Sequence, residues 1–253
     1  RRIQDQRRIK KDLAYHRNLV QFLINRGREG NIFLDRNRGD LRAGGHLPVN
    51  PRGLPCDILL NIPVGPLTLE QLAEAKGLPI DWLNKVARQG RRGVDVPYRD
   101  ETNREVALRI RLNLTDDTPD GRFQWRKGDK PILYGLFGLE AQKSRGYTIL
   151  VEGETDTWTL WFNSFPALGL PGAANWKPEW AKYLEGFLKI YSWQEPDKGG
   201  QTFIGKLAKD LPNLLVISAP PGVKDPSALY LLDPQGFKTT FTALLETARP
   251  ASE

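Results

Sequence analysis

Tyr147-Thr-Ile-Leu-Val-Glu-Gly-Glu-Thr-Asp156, followed about forty residues later by Glu195-Pro-Asp-Lys-Gly-Gly200, decides how this chain reads. In each half, carboxylates follow directly on a short apolar run. Such a run, closed by a turn, reads as a buried parallel strand. In open α/β sheets, ligands bind beyond the carboxyl ends of the strands. Glu152, Glu195 and Asp197 are therefore expected on one edge of one sheet. Hard carboxylates grouped there suit Mg2+ or Mn2+, with phosphate as their usual joint ligand.

The surrounding pattern continues the alternation of strand and helix. Thr155–Phe162 reads as a helix that packs Trp158 and Trp161 on the sheet, and Ala167–Leu170 as a second strand. Lys177–Gly186 reads as a helix with Pro178 in its first turn, where proline is tolerated. Leu188–Trp193 is the third strand, Gly200–Leu211 a helix and Asn213–Ser218 the fourth strand. Ser227–Leu232 and Phe237–Thr247 close the chain as helices. The expected fold class is α/β: about four parallel strands with flanking helices over residues 141–253.

A basic α+β subdomain is expected over residues 67–140. Thr68-Leu-Glu-Gln71 has the form of a capping box, with a helix to Lys76. Residues from Val94 to Leu112 alternate with period two and turn at Asp100–Asn103, which predicts a hairpin. Its apolar face carries Val94, Val96, Tyr98, Val106, Leu108, Ile110 and Leu112, and its outward face Arg109 and Arg111. Arg122, Trp125, Arg126, Lys127 and Lys130 follow. Aromatics interleaved with cations suit single-stranded nucleic acid, where bases stack and phosphates pair. An ordinary two-faced sheet with solvated charges is the other reading.

Residues 1–66 form the third segment. Ile9, Leu13, His16, Val20, Leu23 and Ile24 keep helical spacing up to Gly27, and residues 28–66 read as loops with strands near Ile32–Leu34 and Ile58–Leu60. The 253 residues carry a net charge of +7, and residues 1–30 hold nine Lys and Arg against three Asp and Glu. That asymmetry fits an arm for a polyanion, or a solvated helix face. No run approaches the roughly 18–20 apolar residues of a membrane span, and the start lacks a signal-peptide pattern. No membrane partner is expected. A single cysteine, Cys56, fits a reducing compartment, so a cytoplasmic location is expected. Cys56 with His16 and His46 is too small a set for structural zinc. The chain has no methionine, so it reads as a fragment or as a sequence that lacks its methionines.

These residues resemble a known family. Strand, Glu152-Gly153, helix, strand, helix, strand, acidic-x-Asp197 and then glycine are similar to the Toprim domain of primases, topoisomerases and related nucleases. Val96-Pro-Tyr-Arg-Asp-Glu-Thr-Asn-Arg-Glu-Val-Ala-Leu-Arg-Ile-Arg-Leu112 and Leu133-Tyr-Gly-Leu136 resemble the basic subdomain that precedes Toprim in bacterial-type replicative primases. Val223-Lys-Asp-Pro-Ser-Ala228 resembles the third acidic element. The resemblance covers roughly residues 67 to 245. Two departures stand out: Glu195 occupies the place of the family's first Asp, and no zinc ribbon is present.

The resemblance implies a primase core, of phage or plasmid type, that makes short RNA primers on single-stranded DNA by divalent-metal-dependent nucleotidyl transfer. It implies Glu152, Glu195 and Asp197 as catalytic residues. These three and Asp225 would ligate two Mg2+ or Mn2+ ions, and no zinc. Gly153 would make the tight turn. Asp156 would stand behind the ligands, and Gly199-Gly200 would permit close approach to phosphate. Arg109, Arg111, Arg126, Lys127, Lys130, Lys198 and Lys224 would hold template and ribonucleoside triphosphates, and a replicative helicase would be a further partner. A Toprim nuclease or topoisomerase-like enzyme is the first alternative, and a catalytically weak DNA-binding replication factor the second.

Overall fold

The computed structural model describes residues 32–35, 40–43, 65–115 and 121–251. The expected helix in residues 1–27, the strand near Ile58–Leu60, and His16, His46 and Cys56 lie outside the described residues. The chain divides into two compact units, Arg1–Val64 and Gly65–Glu253. In the first, β1 (Ile32–Asp35) and β2 (Asp40–Ala43) pair as an antiparallel hairpin, with Ile32 opposite Ala43.

The second unit opens with α1 (Leu69–Lys76). Thr68 caps it as expected: its hydroxyl accepts from the Gln71 N–H, and the Gln71 side chain accepts from the Thr68 N–H. Gly77 ends the helix at φ 62°, a left-handed conformation that glycine adopts without a Cβ clash. The short α2 (Ile80–Leu83) leads into an antiparallel sheet in the order β3 (Arg88–Gln89), β4 (Val94–Arg99), β5 (Glu105–Arg111) and β6 (Phe123–Trp125). The β4–β5 turn lies where the sequence placed it. Asp100 Oδ1 accepts from the Thr102 and Arg104 N–H groups, both at 3.0 Å.

The face of β5 is a correction. Arg109 and Arg111 do not lie on an outward face away from Val94, Val96 and Tyr98; they share the inner face with them. Directly opposed residues of an antiparallel pair lie on the same face, and the register is Val94↔Arg111, Val96↔Arg109 and Tyr98↔Ala107. An irregularity at Tyr98/Arg99 skips Val106. Val106, Leu108 and Ile110 therefore lie on the opposite face to Tyr98. Alternation alone pairs apolar with apolar. It misses that both guanidinium groups are accommodated inside, by a carboxylate and an aromatic ring described below.

The second sheet follows α3 (Leu139–Lys143). Its elements in chain order are β7 (Tyr147–Glu152), α4 (Gly153–Phe162), β8 (Ala167–Leu170), α5 (Ala181–Leu184), β9 (Lys189–Gln194), α6 (Lys198–Asp210), β10 (Leu214–Ser218), α7 (Pro226–Leu232), α8 (Phe237–Glu246) and β11 (Arg249–Pro250). The order across the sheet is β11-β10-β9-β7-β8. The four parallel strands are those expected, and β11 adds an antiparallel edge on β10. The helix expected over Lys177–Gly186 is shorter: a 3-10 turn at Pro178–Trp180 runs into α5.

The chain steps from β7 outward to β8, then returns to the other side of β7 for β9. The strand order thus reverses between β7 and β9, which makes their carboxyl ends the topological switch point. Tyr134 joins the antiparallel sheet to this one. Its N–H donates to the Gly169 carbonyl at 2.8 Å and its carbonyl accepts from the Gly169 N–H at 3.0 Å. Its buried ring packs 5.0 Å from Tyr98 and stacks 5.3 Å from Trp161.

Candidate active site

Glu152 ends β7 and Glu195 follows the last residue of β9. Leu150 pairs with Ser192 in parallel register, so the two strands reach Glu152 and Gln194 on the same edge. Gly153 turns the chain at φ +81°, and a Cβ there would meet nothing within 4 Å. Its glycine is required by the backbone angle alone. Behind the turn, Gly169 has no room for a Cβ, which would stand 2.7 Å from the Gly153 carbonyl oxygen and 2.5 Å from Thr157 Oγ1. The second strand is therefore pressed against the turn that carries Glu152.

Negative charge gathers at this edge. Burial, with Glu152 and Asp225 nearby, raises the Glu195 carboxyl to about 7. Lys224 opposes that shift through an ion pair, its Nζ 3.4 Å from Glu195 Oε2, and is itself held above the ordinary lysine value chiefly by Glu195. Asp197 and Asp225 are helix N-caps. Asp197 Oδ1 accepts from the Gly200 N–H at 2.8 Å, and Asp225 Oδ1 from the Ala228 N–H at 2.7 Å. Each cap uses Oδ1. Gly200 serves the chain itself, because a Cβ there would sit 2.3 Å from the Glu195 carbonyl oxygen. Lys198 is exposed beside this turn.

A second layer lies behind the edge. Asp156 is buried one turn after Glu152 and accepts from the Ser227 N–H at 3.0 Å. Burial, and then the charge of Asp225, lifts its carboxyl to about 7. Lys76, at the end of α1, is drawn below the ordinary lysine value by burial and by Arg111, while Asp156 and Asp225 pull the other way. Its ammonium thus lies within electrostatic reach of the acidic edge and the basic sheet.

Of the expected cations, Arg109 and Arg111 are inside. Arg109 Nη1 donates to Glu154 Oε1 at 2.9 Å, and its guanidinium lies 4.0 Å over the Phe123 ring. Arg111 is only 2% exposed. It donates to the Asn113 and Leu114 carbonyls, both at 3.3 Å, and makes no ion pair among the described residues. Burial and the neighbouring Arg122 lower its value to about 10. Arg109, Arg111 and Arg122 all reach the Phe123 ring, at 4.0, 5.2 and 5.1 Å. Arg126 is exposed and paired with Glu105 and Asp129. Lys127 and Lys130 are exposed.

Glu154, Tyr98 and Lys76 escaped the sequence reading. Glu154 is buried, and its Oε1 accepts from the Tyr98 hydroxyl as well as from Arg109. The visible signal was a third carboxylate, between Glu152 and Asp156, opening a helix in which every residue besides it and Asp156 is uncharged.

Divalent metal, which the fold family implies, can be tested against these residues. Among the described residues no three His, Cys, Asp or Glu side chains form a ready cage. Mg2+ does not require one: it keeps several waters and binds through one or two carboxylates plus substrate phosphate. The mutual repulsion of Glu152, Glu195 and Asp225 is what a cation relieves, and all are hard oxygen donors. The donor chemistry, though not a preformed cage, suits a hard divalent cation.

No protein-family profile matches the chain. It is 35% identical over 117 residues to the Gene 57 protein of Mycobacterium phage D29, an alignment that spans 46% of this chain and 74% of the phage protein. The chain belongs to the family of that phage protein. Its fold is that of a Toprim primase catalytic core. The DnaG catalytic core superposes with a TM-score of 0.58 at 19% identity, covering 72% of this chain and 73% of that one. The RNA polymerase domain of Mycobacterium tuberculosis primase DnaG, solved with a double-stranded DNA oligomer carrying an overhang, gives 0.52 at 18% identity over 74% and 67%. A chain from bacteriophage T7 gives 0.55 at 21% identity over 70% and 91%. It comes from the lagging-strand DNA polymerase interacting with primase domains of two gp4 subunits bound to an RNA/DNA hybrid and dTTP. No helix among the described residues is long and apolar enough to cross a membrane.

Proposed function

We propose that the chain is a primase core that joins ribonucleotides into short primers on single-stranded DNA. One observation carries the reading: Glu152 ends β7 and Glu195 directly follows β9, neighbouring strands at the switch point of a parallel sheet, with Asp225 close enough to raise Glu195. Nucleotidyl transfer forms a bond from a 3′-oxygen to the α-phosphorus and breaks the bond to pyrophosphate. Glu152, half-buried at a strand end, would take the hydroxyl proton. Glu152, Glu195, Asp225 and the second oxygen of Asp197 would hold Mg2+ or Mn2+, which supplies charge neutralisation at the phosphates. Arg111, buried and bonded to two backbone carbonyls, is left a structural role, and Lys76 adds a cation near the acidic edge. Exposed Lys127, Lys130, Lys198 and Lys224 would follow the template backbone. A replicative helicase is the partner this reading adds.

The test is incubation with single-stranded DNA, labelled ribonucleotides and a titration of Mg2+ and Mn2+. Short RNA products support the reading, and template cleavage would mean a nuclease. Binding without product would favour a catalytically weak replication factor. The Lys224–Glu195 ion pair, an internal counter-ion at the acidic edge, is the observation on that side.

A further inference from the structure

Glu154 lies two residues beyond Glu152, in the first turn of α4. It is directed at the antiparallel sheet, where its Oε1 accepts from Tyr98 on β4 and from Arg109 on β5. The pair is almost dry: Arg109 is 12% exposed and Glu154 1%. Arg109 is further confined by the rings of Phe123 at 4.0 Å and Trp125 at 5.5 Å.

As a source of stability the arrangement is poor. Arg109 Nε and Glu154 Oε2 are buried with no hydrogen-bond partner among the described residues. Buried polar atoms left unmatched carry their full desolvation cost. Apolar replacement of a whole buried ion pair is often neutral or stabilising. What the contact does supply is location. It joins residues 45 and 56 apart in sequence, and it forms at only one placement of β5 against the Glu152–Gly153 turn.

We propose that Glu154 is a positioning residue: through Arg109 and Tyr98 it fixes the basic sheet to the turn that presents Glu152, and so sets the rate of the chemical step rather than the affinity for nucleic acid. This rests on the primase reading. The test compares wild type, Glu154→Gln, and the double variant Glu154→Met with Arg109→Met, which removes both charges at similar length. Backbone amide exchange over residues 153–157 is read first, because it does not depend on activity. Exchange there should rise at least tenfold in both variants, with the thermal midpoint of the double variant near wild type. In primer synthesis, kcat should fall at least tenfold, while KM for ribonucleotides and the affinity for single-stranded DNA move less than threefold. Unchanged exchange at that turn overturns the proposal, as does a well-folded double variant with wild-type kcat. If wild type makes no primer but exchange rises as expected, the primase reading fails and the fixing of the turn stands.

Discussion

At the scale of single residues, the strand-end carboxylates were legible because two apolar runs about forty residues apart each close on a carboxylate, a combination far more specific than a lone Val-Glu-Gly. Their surroundings were not. Glu154 draws its partners from 45 and 56 positions away, and no local pattern shows such a pairing. Glu152→Gln keeps shape and removes the charge and the proton acceptor. It should lower primer synthesis at least a hundredfold and leave single-stranded DNA affinity within about twofold, read by product gels and fluorescence anisotropy. Asp156 gives a pH prediction. Its carboxyl is raised to about 7 by burial and Asp225, so the folded state holds a proton that the unfolded chain has already lost. Stability from this group is therefore greatest at low pH and falls as pH rises from about 4 to about 7. Asp156→Asn retains the oxygen that accepts from Ser227 and removes the charge. Its thermal midpoint should exceed wild type at pH 8, and the gain should shrink towards pH 5. A gain independent of pH would remove the carboxylate from the explanation.

Elements were read with uneven success, and the reason is where their partners lie. The capping box at Thr68 and the turn at Asp100 use residues within four positions, and both are as expected. The parallel strands show as apolar runs because both faces are covered. The face of β5 depended instead on a register skip at Tyr98/Arg99 and on Phe123, brought in by β6. Two glycines at the acidic edge separate backbone strain from steric support. Gly153→Ala meets open space, and its cost is the positive φ alone, about 1–2 kcal/mol. Gly200→Ala puts a Cβ 2.3 Å from the Glu195 carbonyl oxygen. Either the Glu195 backbone or the start of α6 must move, at a cost of about 1–3 kcal/mol. Both should lower the thermal midpoint. Of the two, Gly200→Ala should also change the metal concentration that gives half-maximal activity, because it displaces Glu195, a ligand in the proposed function. Equal metal dependence in the two variants would mean that the Glu195 carboxylate does not follow its backbone.

For the whole molecule, charge and fold are divided unevenly. Residues 1–64 hold thirteen Lys and Arg against six Asp and Glu, whereas residues 65–253 hold 24 of each. The unit with the Toprim-type sheet is thus neutral in sum, and any hold it has on a polyanion comes from local arrangement. The whole net positive charge, and with it any long-range attraction, belongs to residues 1–64. A chain of residues 65–253 should therefore lose affinity for long single-stranded DNA, and its log K should depend less steeply on log salt. Its activity on short templates should be retained. Within that shortened chain, Lys127 and Lys130 are exposed, so each phosphate contact they make contributes about 0.7 to the slope for a single strand. Changing both to Gln should lower the slope by about 1.4 without moving the thermal midpoint. Arg111→Gln should act in the opposite pattern. Its guanidinium is buried and bonded to two backbone carbonyls, so its removal lowers the midpoint and leaves two acceptors unmatched. Titrations at four or five salt concentrations, with melting curves for the same preparations, separate the two classes. If Lys127 and Lys130 leave the slope unchanged, the exposed rim of the basic sheet does not touch the strand. The template would then have to run along the acidic edge itself, past Lys198 and Lys224.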